Sequence, residues 1–69
     1  MEEPEDIRQA RALIKRAKVF VDDQVQRIER LRTAGAPTRD AEKRLMQFTS
    51  TLSALEAYLQ VVRAEAPPQ

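Results

Sequence analysis

Arg30-Leu31-Arg32-Thr33-Ala34-Gly35-Ala36-Pro37-Thr38-Arg39-Asp40 decides the fold. It holds the only glycine of the chain, and Pro37 is one of just four prolines. Pro4 stands near the front, and Pro67 and Pro68 stand at the end. Between Glu5 and Ala34, and again between Thr38 and Ala66, neither residue type occurs. Those are the stretches where a helix tolerates them least. The reading is two long helices, about 5–34 and 38–65, joined by a turn at 35–37, with 66–69 a disordered tail. Gly35 suits a left-handed cap after the basic last turn of Arg30 and Arg32. Thr38 suits the N-cap of the second helix, with Asp40 and Glu42 in its first turn. Pro4 suits a first-turn position, and Glu2, Glu3, Glu5 and Asp6 place negative charge at the positive end of the first helix. A connection this short forces antiparallel neighbours.

Working outward, the apolar spacing draws one stripe on each helix. The first runs Ile7, Ala10, Ile14, Ala17, Val21, Gln24, Ile28 and Leu31, in alternating steps of three and four. The second runs Ala41, Leu45, Phe48, Leu52, Leu55, Leu59, Val62 and Ala66. These are heptad seams with one polar member, Gln24. Folding the chain about Gly35 brings Ile28 to Leu45, Val21 to Leu52, Ile14 to Leu59 and Ile7 to Ala66. Leu31 then meets Ala41, Gln24 meets Phe48, Ala17 meets Leu55 and Ala10 meets Val62. The seams stay in register over the whole length, and large often faces small, as interdigitated packing prefers. The fold class is all-α, an antiparallel two-helix hairpin of coiled-coil type. Gln24 could fix the register at some cost in stability. The alternative, slightly favoured, places it at the edge of the seam with its amide in water.

At 69 residues the chain is one domain near the lower limit for folding alone. Domains this small lean on disulfides, a metal, a partner or very regular helix packing. Cysteine and histidine are both absent, so disulfides, thiolate sites and imidazole sites are excluded. No cofactor or metal is expected. Asp22 and Asp23 point about 100° apart on a helix and are poorly placed to share an ion. With no imidazole base and no glycine-rich phosphate loop, no catalytic site is expected either.

Surplus apolar surface points instead to protein partners. Leu13 and Phe20 widen the stripe of the first helix on one flank and Val25 on the other; Met46, Tyr58 and Val61 lie off the seam of the second. From Leu45 to Leu55 there is no charge at all. A solvated helix face normally carries Lys and Glu. Scattered apolar residues are ordinary on a surface, but this many suggest a second contact surface. The simplest occupant is another copy, giving a homodimeric four-helix bundle. Another helical protein, held by an adaptor or co-chaperone, is the alternative.

Arg8, Arg11, Lys15 and Lys18 share a narrow arc of the first helix. Such a stripe could meet phosphates or an acidic partner. Asp22 continues the same arc, no aromatic interleaves it, and charge runs are usually solvated faces. The net charge of +1 adds no push toward nucleic acid, which is not an expected partner. A weaker basic cluster surrounds the turn, with Arg27, Arg30, Arg32, Arg39, Lys43 and Arg44. The mean hydropathy of −0.57 and the acidic start Met-Glu-Glu-Pro-Glu-Asp argue against a membrane span and a signal peptide. The expected location is the cytoplasm.

The segment from Arg27 to Leu55, RIERLRTAGAPTRDAEKRLMQFTSTLSAL, resembles small uncharacterised helical-hairpin proteins of alphaproteobacteria. Ile28, Leu31, Gly35, Thr38, Ala41-Glu42, Leu45, Phe48, Leu52 and Leu55 carry the resemblance. Ala36-Pro37 departs from it where a histidine or aspartate is expected. The resemblance implies a bacterial helical hairpin and brings no established activity with it. In shape alone the chain is also similar to the short hairpin co-chaperones of type III secretion systems, which hold a partner protein.

Overall fold

In the computed structural model, which describes residues 3–65, the backbone carbonyl of Pro4 accepts the first helical hydrogen bond, from Arg8 N–H at 3.1 Å. Pro4 is therefore the N-cap, with φ −53° and ψ 145°, and it stands one position before the first turn. A proline fits there because its missing N–H would have no helical partner. Helix α1 runs Glu5–Thr33 and helix α2 runs Arg39–Glu65. Both carry acid in the first turn and base in the last, complementing their dipoles. Among the described residues there is no strand.

The turn closes as a Schellman motif. Ala36 N–H donates to the Leu31 carbonyl at 2.9 Å, and Gly35 N–H donates to the Arg32 carbonyl at 3.0 Å. This geometry needs a left-handed residue after the C-cap, and Gly35 supplies it with φ +72°. Leu31 and Ala36 are both half-buried, as the motif's apolar contact requires. The Thr38 carbonyl then accepts from Glu42 N–H at 2.8 Å and opens α2.

The helices pack along the whole hairpin. All fifteen seam positions within the described residues are buried or half-buried. Ile7, Ala10, Ile14, Ala17, Gln24 and Ile28 of α1 are buried, and Ala10 is 0% exposed. No residue of α2 is fully buried; its seam from Ala41 to Val62 is half-covered. Ala66, the expected partner of Ile7, and the expected tail at 66–69 lie outside the described residues.

Gln24 corrects an expectation. Its side chain is 7% exposed, not at a wet edge, and its amide nitrogen donates to the Ala41 carbonyl at 2.8 Å. A buried amide without a partner would cost about 1–3 kcal/mol. The bond to a backbone oxygen of the facing helix removes that penalty and ties α1 to the first turn of α2.

The molecule is a slab of 54 × 18 × 11 Å. Its thickness is that of one helix with side chains, about 10–12 Å. The radius of gyration is 16.1 Å, against about 11 Å for a compact chain of this length. Each broad face therefore belongs to a single layer, whereas stable domains usually stack two.

Candidate functional site: two unlike broad faces

Seven-residue rows on either side of the seam form the two faces. On one side, Asp6, Leu13, Phe20 and Arg27 of α1 lie beside Arg44, Thr51, Tyr58 and Glu65 of α2. Two observations fix this pairing. The rings of Phe20 and Phe48 stack with centroids 5.7 Å apart and planes 24° from parallel. Arg27 and Arg44 line one groove beside the turn, together with Gln24, Leu31, Pro37, Asp40 and Ala41. On the other side, Arg11, Lys18, Val25 and Arg32 lie beside Glu42, Thr49, Glu56 and Arg63. There Arg32 and Glu42 form an ion pair at 3.3 Å.

The first side, the Phe20 face, has an apolar row along its middle, bordered on α1 by the exposed Arg16 and Asp23; Arg16 lines one shallow groove with Leu13. Leu13, Phe20, Tyr58 and Val61 are each about half exposed on it. Phe20 is 49% exposed although its ring stacks on Phe48, so one aromatic edge stays in solvent. Thr51, Ala54 and Gln47 fill the space on α2 without charge. At the turn end this face carries Arg27 and Arg44 with Asp40 in the same groove; at the open end it carries Asp6 and Glu65. All five are exposed.

The second side, the Lys18 face, is charged. Arg11, Lys15 and Lys18 line a shallow groove with Ile14, Leu59 and Arg63. Arg8 lies one turn before Arg11 on the same side. Arg63 comes from α2 and extends the expected basic stripe across the hairpin; its place opposite Arg11 follows from the register that pairs Ile14 with Leu59. Arg11 is already engaged, since its guanidinium donates to both carboxylate oxygens of Glu3 at 2.7 and 2.8 Å. Glu56 and Asp22 temper the rest. The stripe is thus less free than its residue types suggest.

The expected partner surface divides between these faces. Leu13, Phe20, Tyr58 and Val61 share the Phe20 face, whereas Val25 and Met46 fall on the Lys18 side. Met46 is the most exposed large apolar residue, at 72%. Val19, at 53% exposed, lies on the outer edge of α1 and belongs to neither face. Thr49, within the uncharged stretch, turns its hydroxyl back to the Met46 carbonyl at 2.9 Å. Such a bond satisfies the hydroxyl locally.

Among the described residues no three acidic side chains gather as a metal site, and no helix is long and apolar enough to cross a membrane. No protein-family model, curated protein or solved structure matches the chain.

Proposed function

We propose that this chain is a non-enzymatic protein–protein interaction module that works as a homodimeric helical bundle, with the Phe20 face as its contact surface. The observation that carries this reading is the apolar centre of one broad face on a slab one helix thick. The exposed surface of 5736 Å² compares with about 4,400 Å² for a compact monomer of this mass. A second layer on the Phe20 face would remove part of that excess and complete a two-layer core. The non-enzymatic part rests on composition: without histidine or cysteine the chain has no imidazole base and no thiolate. A cytoplasmic, bacterial setting belongs to the same proposal, supported by the resemblance of Arg27 to Leu55 to alphaproteobacterial hairpins.

Sedimentation equilibrium over a wide concentration range tests it. A dimer is expected. Leu13→Glu or Tyr58→Glu places two like charges in each dimer interface and should raise the dissociation constant about 100-fold or more, near 3 kcal/mol. Met46→Glu, on the other side, should leave it unchanged. A monomer at every concentration overturns the homodimer and leaves the Phe20 face to a different helical protein, the adaptor reading.

A further inference from the structure

The Phe20 face is polar at both ends, and with opposite signs. Arg27 and Arg44 stand at the turn end, Asp6 and Glu65 at the open end, with Leu13, Phe20, Thr51 and Tyr58 between them. Among the described residues none of these four charged side chains takes part in an ion pair. A face with this distribution complements a copy of itself turned end for end.

We infer that the occupant of the Phe20 face is a second copy of this chain docked antiparallel, its turn end over the open end of the first. The inference rests on the self-association reading and adds the geometry of the pair. A two-fold axis in the contact plane, across the helices, places α1 on α1 and α2 on α2 of the partner. Row spacing then sets the layers. Arg27 meets the other copy's Asp6 and Phe20 meets its Leu13. On α2, Arg44 meets Glu65 and Thr51 meets Tyr58. The same axis serves both helices, because the four layers are spaced equally about it on each. The contact is isologous and closed, as two-fold dimers require. Both ends gain opposite-charge pairs, and they flank the layers of Leu13, Phe20, Thr51 and Tyr58, which Arg16 borders beside its own symmetry mate.

The competing arrangement keeps both turns at one end. It sets the Arg27 and Arg44 guanidinium groups of both copies together there, offset only in part by the two Asp40 carboxylates, and the four carboxylates of Asp6 and Glu65 together at the other end, and like-charge juxtaposition disfavours it. A face of up to 54 Å by 18 Å is large enough for the roughly 800 Å² that each partner contributes to a stable interface.

The chain has no cysteine, so a single Thr33→Cys, at an exposed site near the turn, accepts one spin label per hairpin. Sedimentation of the labelled protein comes first, and a pulsed dipolar distance follows under dimeric conditions. Antiparallel docking puts the labelled backbone positions about 50 Å apart, from the 1.5 Å rise over the residues between Thr33 and the axis. A separation under about 20 Å means that the turns lie together; the dimer would stand and this orientation would fall. A monomer at all concentrations would remove the self-association reading and the orientation with it. Charge reversal gives an independent arm. R27E/R44E should weaken the dimer at least tenfold, and adding D6K/E65K to the same chain should restore it. If R27E/R44E leaves the dissociation constant unchanged, the antiparallel charge pairing is overturned.

Discussion

Gly35 carries the turn through one dihedral angle. A Cβ added there would meet nothing within 4 Å, so packing does not oppose a side chain. The left-handed φ does, and Gly35→Ala should cost about 1–2 kcal/mol. Asparagine tolerates that region better, so Gly35→Asn should cost visibly less. Urea midpoints of the two variants would show the order, and equal losses would refute the dihedral account. Gln24 works through its bond to the Ala41 carbonyl. Gln24→Leu keeps the bulk of the side chain and gives up the hydrogen bond, so the expected loss is about 1 kcal/mol. Gln24→Ala also opens a cavity and should lose more. If the leucine variant were the less stable of the two, packing would not be the larger part of what Gln24 supplies.

Along α1 the buried residues, with half-buried Val21 among them, recur every three or four positions and hold the two helices together. Ile28 is 6% exposed, against 72% for Met46. Ile28→Ala should therefore cost about 2–4 kcal/mol, and Met46→Ala less than about 0.5 kcal/mol. The first is a large share of the stability available to so small a domain. Far-ultraviolet circular dichroism on heating would separate them by melting temperature. The ion pair of Arg32 and Glu42 is a weaker brace. Both side chains are more than half exposed, so Arg32→Ala should change stability by under about 1 kcal/mol, and less at high salt. The asymmetry between the helices has the same origin. α1 turns alanines and isoleucines fully into the contact, while the leucines of α2, with Ala41, Phe48 and Val62, remain half-covered.

The slab as a whole leaves two broad faces of different chemistry. Its exposed area and its one-helix thickness leave the hairpin without a second layer, and the proposed dimerisation would couple folding to association. Thermal unfolding of such a dimer depends on protein concentration. The melting temperature should rise as the chain is concentrated, and Tyr58→Glu should abolish that rise while the hairpin keeps its helical signal. A melting temperature flat over a hundredfold concentration range in the unaltered chain would count against the dimer. Salt should act mainly through the end layers, because Arg27, Arg44, Asp6 and Glu65 are the charges that the antiparallel pair brings together.

Spacing along the chain was enough to determine the two helices, the place of the turn and the stripe from Ile7 to Val62. Those features depend on the period of one helix and on the backbone needs of one glycine, and both are local. Which flank of α1 shares a side with which flank of α2 is not local. Spacing puts Leu13 and Phe20 on one flank of α1 and Val25 on the other, and leaves Met46, Tyr58 and Val61 off the seam of α2, but the packing of the helices puts four of the six on one face and two on the other. The same holds for Arg63, which joins Lys15 and Lys18 from the far helix. It holds too for the amide of Gln24, which finds its acceptor seventeen residues away. Periodicity fixes a side chain's angle about its own helix axis; its neighbours are decided by how the second helix is rotated and placed against the first.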